Sequence, residues 1–212
     1  MESTAKARGP YAKTTRVREG ILDASREVFA ESGYHGATLR EVAERAGISE
    51  GGLVHHFANK SELLAALLER HEAAAAERYA GVLPTGLDAI LMMLKVVSED
   101  SEKPGIVELH TILSGEASSV NHPAHQHYRH RYEQSRLFVS LAFQSLEREG
   151  EVASAMSAED LAAAYIALSD GLQLQWLYDR DGIDVQAILL RFLQSVIPSF
   201  DAALVERMDA PA

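Results

Sequence analysis

Apolar residues recur every three or four positions almost from one end of this chain to the other. Nowhere do they alternate for long enough to form a half-buried strand. Val17, Ile21, Ala24 and Val28 set the pattern, with Leu22 and Phe29 widening the stripe. Leu63, Leu64, Leu67 and Leu68 repeat it, as do Ile188, Leu189, Phe192, Leu193 and Val196 near the other end. A chain patterned in this way buries its apolar surface by laying helix on helix. The fold class expected is therefore all-α.

Turn and cap residues divide the pattern. The first helix is predicted over 16–32, stopped by the two glycines of "SGYHGA". Thr38, with Glu41 three residues on, forms a capping box for a short helix bearing Leu39, Val42, Ala43 and Ala46 on one face. Gly47 stands where a left-handed residue must close that helix. Ser49 caps a second short helix anchored by Leu53 and Phe57, and Asn59 caps a long one with Glu62 at its third position. Further helices are expected after Pro84 and Thr85 ("LDAILMMLKVV"), from Pro104 ("GIVELHTIL"), from Pro123 to near Gly150, over 157–178, and from Asp184 to about Glu206.

The 212 residues contain no cysteine, which excludes disulfides, thiolate metal sites and a cysteine nucleophile. No apolar run approaches the ~20 residues of a membrane span, and the first residues lack a signal-peptide core. No membrane association is expected, and the location expected is cytoplasmic. The net charge of −11 hides an asymmetry. Residues 1–60 hold nine Lys and Arg against eight Asp and Glu, whereas the remainder holds eleven against twenty-three. Lys6, Arg8, Lys13, Arg16 and Arg18 face only Glu2 within the first eighteen positions. A basic arm on a near-neutral segment, followed by an acidic body, points to a small nucleic-acid module joined to a domain of another kind.

Two short helices at 39–46 and 50–56, joined across Gly47, make a helix-turn-helix unit whose second helix offers its outer face to a major groove. Gly51 and Gly52 each cost roughly 1 kcal/mol against Ala in a helix, but they let the helix approach DNA closely. The stretch "TLREVAERAGISEGGLVHHFANKSELL" resembles the DNA-binding signature of the TetR family of transcriptional regulators, in register over about residues 15–64. One position differs: the family carries Tyr where this chain has Val54, so one phosphate-bonding hydroxyl is missing.

The resemblance implies a flexible basic arm over 1–14 and a three-helix DNA-binding domain over 15–60. A helical ligand-binding and dimerisation domain over 61–206 and a tail over 207–212 complete the chain. It implies that Thr38 and Lys60 bond phosphates, with Arg16 and the arm around Lys13 and Arg18 reaching adjacent ones. Ser49, Glu50, Gly51, Gly52 and His55 would lie nearest the base edges, and His56 would reach the backbone or brace the helix. Successive helical side chains diverge by about 100°, so the adjacent pair His55 and His56 is poorly placed to share a metal ion.

A second histidine cluster, "NHPAHQHYRHR", holds His122, His125, His127 and His130. On one regular helix the pairs 122/125 and 127/130 face different sides, so a four-histidine cage is excluded. A two-histidine site completed by Glu116 or a partner chain stays open, and with it a metal-responsive regulator. A solvated face with Arg129 and Arg131 is the other reading.

TetR-like regulators join their DNA reader to a helical domain with a small-molecule pocket. Here the candidate lining is Leu91, Met92, Leu94, His110, Leu113, Glu116, Phe138, Leu141, Phe143, Gln173 and Trp176, with Glu116 suited to a cationic or amphipathic effector. "TILSGEA" and "SDGLQLQWLYD" resemble a subgroup that includes choline-responsive repressors and actinobacterial regulators. The stripes Leu161, Tyr165, Leu168, Leu172 and Ile188, Phe192 are expected to pair with a second copy, so that two recognition helices read a palindromic operator about 34–36 Å apart. The function expected is a homodimeric, ligand-released transcriptional regulator, read as a repressor; repression and activation differ in where the operator lies, which the residues do not encode. No cofactor is implied. No HExxH, paired ExxH or nucleophile-elbow pattern occurs, so the chain is not expected to be an enzyme.

Overall fold

A computed structural model of the chain describes residues 10–78, 84–101 and 105–200. Among these, every regular element is an α-helix. They are α1 (Pro10–Gly36), α2 (Leu39–Arg45), α3 (Glu50–His56), α4 (Lys60–Arg78), α5 (Gly86–Ser101), α6 (Ile106–Glu116), α7 (His125–Glu149), α8 (Ala158–Tyr178) and α9 (Val185–Val196). The chain divides into two compact units, Met1–Arg78 and Tyr79–Ala212.

That division falls after α4, whereas the sequence reading closed the first domain at residue 60. Packing explains the difference. Leu63, Leu64, Leu67 and Leu68 of α4 are all buried, and α4 packs against α1. Arg70 adds ion pairs to Glu19 at 3.1 Å and Asp23 at 3.0 Å on that same helix. The arm expected over 1–14 is likewise helical from Pro10 onward, where a missing amide hydrogen costs a helix nothing. Residues 1–9 lie outside the described region, as do the tail over 207–212 and the residue Pro104 expected to open α6.

The first unit is organised around the ends of short helices. At α1, Gly33 adopts φ 67°, ψ −179° and bends the chain out of the helix. The carbonyls exposed by that bend are met by Lys60, the first residue of α4. Its Nζ donates to Tyr34 O at 2.6 Å, Ala37 O at 2.7 Å and His35 O at 3.4 Å, and lies 4.6 Å from the Tyr34 ring. Between α2 and α3, Ile48 N donates to Ala43 O and Gly47 N to Glu44 O, the doubled bond of a Schellman turn. Gly47 sits at φ 69°, a conformation that favours glycine. Val42, Ala43, Leu53 and Phe57 are buried, as are Ile21, Phe29 and Leu64, all nearly inaccessible. Arg45 ties α2 to α1 through a two-pronged pair with Glu31 at 2.7 and 2.8 Å, and that pairing holds the Glu31 carboxyl below its usual range.

In the second unit, α8 packs against α6, α7 and α9, while α5 packs against α6, α7 and α9. Ile90, Leu94, Phe143, Leu161, Leu189 and Leu193 form the centre of the core. Helix α9 stops at Val196, where the sequence reading ran it on toward Glu206; residues 201–206 of that expected helix lie outside the described region. The cause is local: Ile197 precedes Pro198 and is pushed out of helical space to φ −127°, ψ 90°.

Lys60→Met keeps the apolar stem but removes all three donors. It is expected to lower the stability of the first unit by about 1.5–3 kcal/mol, the range for hydrogen bonds from a charged group. Urea denaturation checks this, and an unchanged midpoint would remove the clamp role.

Candidate functional site

The candidate recognition face lies on α3, only seven residues long. Ser49 caps it by accepting from Gly52 N at 3.1 Å, and Leu53 and Phe57, both 0% exposed, pin its inner side. What remains outward is Glu50, Gly51, Val54 and His55, with His56 half-buried. The two histidine rings meet edge to face, centroids 5.6 Å apart. The two glycines differ in their surroundings. A Cβ on Gly52 would press to 3.2 Å from the capping Ser49 hydroxyl, whereas one on Gly51 would meet nothing within 4 Å. Nothing in the chain's own packing requires a glycine at 51.

The groups expected on phosphates are placed more variously. Arg16 is exposed, and Arg18 lies 4.3 Å over the Phe57 ring, beside the end of α3. Thr38 forms the full capping box: its amide and its hydroxyl both donate to the Glu41 carboxylate at 2.8 Å, and the hydroxyl accepts from Glu41 N. These bonds hold Glu41 below the ordinary carboxylate range. A phosphate at this helix start must therefore compete with Glu41. Lys60, expected on a phosphate, instead spends its ammonium on the carbonyls at the end of α1.

In the second unit, α5, α6, α7 and α8 surround a cavity of about 530 Å³. Met92, His110, Phe138 and Gln173 line it, as the sequence reading expected. The seven other expected lining residues do not. Leu113 is fully buried in packing, Leu141 faces outward at 51% exposed, and Trp176 packs on the core under the Arg180 guanidinium at 4.4 Å. Glu116 points instead to His122, 3.9 Å away. Helical angle accounts for two of these: each step turns about 100°, so Leu113 diverges from Ser114 and Leu141 from Val139, both of which reach the cavity. Leu91, Leu94 and Phe143 are core rather than lining.

The cavity's polar groups were mostly not foreseen. Tyr128 bonds His110 Nδ1 at 3.0 Å, and Tyr132 donates to Asp170 at 2.7 Å. Burial pushes the Tyr132 phenol up to about 12 and raises Asp170, against which Tyr132 and Arg131 act. Asp100 and Asp170 bring carboxyl groups to the lining, and Arg131 a guanidinium. The available signal was the run Tyr128, Tyr132, Ser135 and Val139, spaced three or four apart along α7. It was masked by the histidines between them. Tyr165, assigned to a dimer seam, borders the cavity and is buried, and Leu161 and Leu172 are core too. The α8 stripe thus serves the chain's own interior, leaving Leu168, with Ile188 and Phe192 on α9, partly exposed.

The second histidine cluster disperses. His122 precedes α7 and takes a hydrogen bond from Ala124 N at 3.1 Å on Nδ1, while His125 Nδ1 bonds Ala117 O at 2.8 Å. His127 meets the Tyr128 ring edge to face and His130 is exposed. Among the described residues no three His, Asp or Glu converge where an ion could sit. The metal-responsive reading has no support here. No described helix is long and apolar enough to cross a membrane.

Comparison with known proteins joins the two units. Residues 21–67 match the model for bacterial regulatory proteins of the tetR family. Residues 88–198, over half the chain, match that for the C-terminal region of BetI-type transcriptional repressors. The HTH-type transcriptional repressor BepR of Brucella suis is 28% identical over 202 residues, 90% of this chain and 95% of that protein. SmeT, the repressor of a Stenotrophomonas maltophilia multidrug efflux pump, was solved with triclosan. That complex aligns at TM-score 0.69 and 23% identity, over 86% of this chain and 92% of its own. A Saccharomonospora viridis transcriptional regulator in complex with choline aligns at TM-score 0.71 and 23% identity, over 86% and 98%. Matched by family models in both units, the chain belongs to the TetR family of bacterial regulatory proteins.

Proposed function

We propose that this protein is a transcriptional repressor that binds a palindromic operator as a homodimer and leaves it when a small, largely apolar molecule fills the cavity of the second unit. The observation that carries the reading is the pairing of two features in one chain. One is a capped recognition helix with an unobstructed Gly51; the other is a cavity of about 530 Å³, within the usual size range for small-molecule sites. Solved relatives holding triclosan and choline support a small-molecule effector without naming this one. If the effector is cationic, Asp100 and Asp170 are the carboxylates facing it, in place of Glu116.

Release follows from linkage. A ligand that binds the form with wrongly spaced recognition helices more tightly shifts the population toward it, by ~5.5 kcal/mol for a near-complete switch. Operator DNA must weaken ligand binding by the same factor. Homodimerisation is supported by Leu168, Ile188 and Phe192, apolar side chains that one copy leaves partly exposed on its last two helices.

Gly51→Ala separates DNA reading from folding. The substitution should stabilise α3 by up to about 1 kcal/mol while weakening specific binding about tenfold, since the added methyl meets only what lies outside the protein. Thermal melting and fluorescence anisotropy, on a duplex selected from a random pool, check both halves. Unchanged affinity beside raised stability would reject the groove-facing assignment.

The pairing surface has its own test. Phe192→Glu should give a folded monomer by light scattering and lose operator binding, because one recognition helix reads only half of the site. Wild-type protein found monomeric at micromolar concentration would end the homodimer proposal.

A further inference from the structure

One buried group in the second unit has no use within the chain. Tyr165, on α8, is 3% exposed, and its hydroxyl finds no hydrogen-bond partner among the described residues. The residue borders the cavity, one turn before Ser169 and two before Gln173 on the same helix face. Two other phenols on the lining are engaged, Tyr128 with His110 and Tyr132 with Asp170. A buried hydroxyl left unmatched is destabilising, so a fold that gains nothing from the oxygen would be better served by phenylalanine.

Accepting the sensor reading above, we infer that the Tyr165 hydroxyl is the anchoring donor for the effector, an apolar molecule of two-ring size or larger presenting an uncharged hydrogen-bond acceptor at its buried end. Three observations select that chemistry. Burial raises the Tyr165 phenol with no charged group contributing, so it remains an O–H at any physiological pH. A phenol is a better donor than acceptor, so its natural partner is a carbonyl, ether or ring-nitrogen lone pair. An anionic end would be desolvated there with no cation acting on the site, whereas a neutral acceptor loses little on entering. The charged lining residues Asp100, Arg131 and Asp170 are held by other positions of the cavity wall.

The test uses the full chain and two matched probes, benzophenone and diphenylmethane, which differ in shape by little more than a carbonyl oxygen. Isothermal titration calorimetry gives the affinity of each for the wild type and for Tyr165→Phe. The ratio of ketone to hydrocarbon affinity should fall about fivefold to tenfold in the variant, the usual yield of one neutral hydrogen bond. The melting temperature of ligand-free Tyr165→Phe should equal or exceed that of the wild type, because the variant removes an unmatched polar atom. An unchanged ratio overturns the inference, the hydroxyl then being met by water rather than by ligand. A lowered melting temperature also overturns it, since the oxygen would then have a structural partner. Hydrocarbon binding with an unchanged ratio sinks the Tyr165 anchor alone and leaves the sensor reading standing. Failure of both probes to bind either protein overturns the anchor and the sensor reading together.

Discussion

A helix of seven residues makes too few internal hydrogen bonds to hold itself together in water, yet the proposed DNA-reading face rests on two of them in succession. Their stability comes from their ends and their undersides. Thr38 and Glu41 close the start of α2, Gly47 and Ile48 close its finish, and Ser49 opens α3. Leu53 and Phe57 supply the buried surface. Little else is available, since the outer face of α3 is given over to small and polar residues. The clamp of Lys60 on the last carbonyls of α1 belongs to the same economy of chain ends. By fixing where α1 stops, it fixes where Thr38 begins α2.

The second unit solves a different problem. Its helices are long and its core is ample, so it can leave a sizeable space unfilled among α5, α6, α7 and α8. Polar groups around that space are mostly matched in pairs, which suits a low-dielectric wall where unmatched groups are expensive. Helix α8 has two duties. Tyr165, Ser169 and Gln173 look into the cavity, while Leu168 is left partly exposed. Because a packed helix moves as a rigid piece, pressure on the first face shifts the second. If two copies pair through Leu168, as proposed above, that sharing links an occupied cavity to their pairing.

Much of this was legible in the residues. The capping box, the Ser49 cap, and the starts of α8 and α9 are set by side chains bonding backbone three residues on, and the Gly47 turn by the one residue that tolerates its positive φ, so local sequence determines them. The resemblance over residues 15–64 added the assignment of function. What escaped was decided by neighbours distant in sequence. An apolar stripe says that a face is covered, not by what, and so Leu161, Tyr165 and Leu172 read as a seam when they face inward. The same holds for α4, whose leucines belong to α1, and for Lys60, whose partners lie some twenty-five positions earlier. Tyr128 and Tyr132 reach the cavity although they sit among or beside the histidines of 122–130, because which face of α7 turns inward is set by α5, α6 and α8.

The empty space beside Gly51 has a consequence over evolutionary time. Leu53 of α3 is held by the fold and Gly52 by the Ser49 cap, but Gly51 has neither and stands against the helix's own preference. Mutation toward alanine is a single-base change from any glycine codon, and it would tend to improve folding. In a lineage whose operator had been lost, position 51 should therefore be among the first of this helix to drift, leaving a well-folded protein that no longer reads DNA.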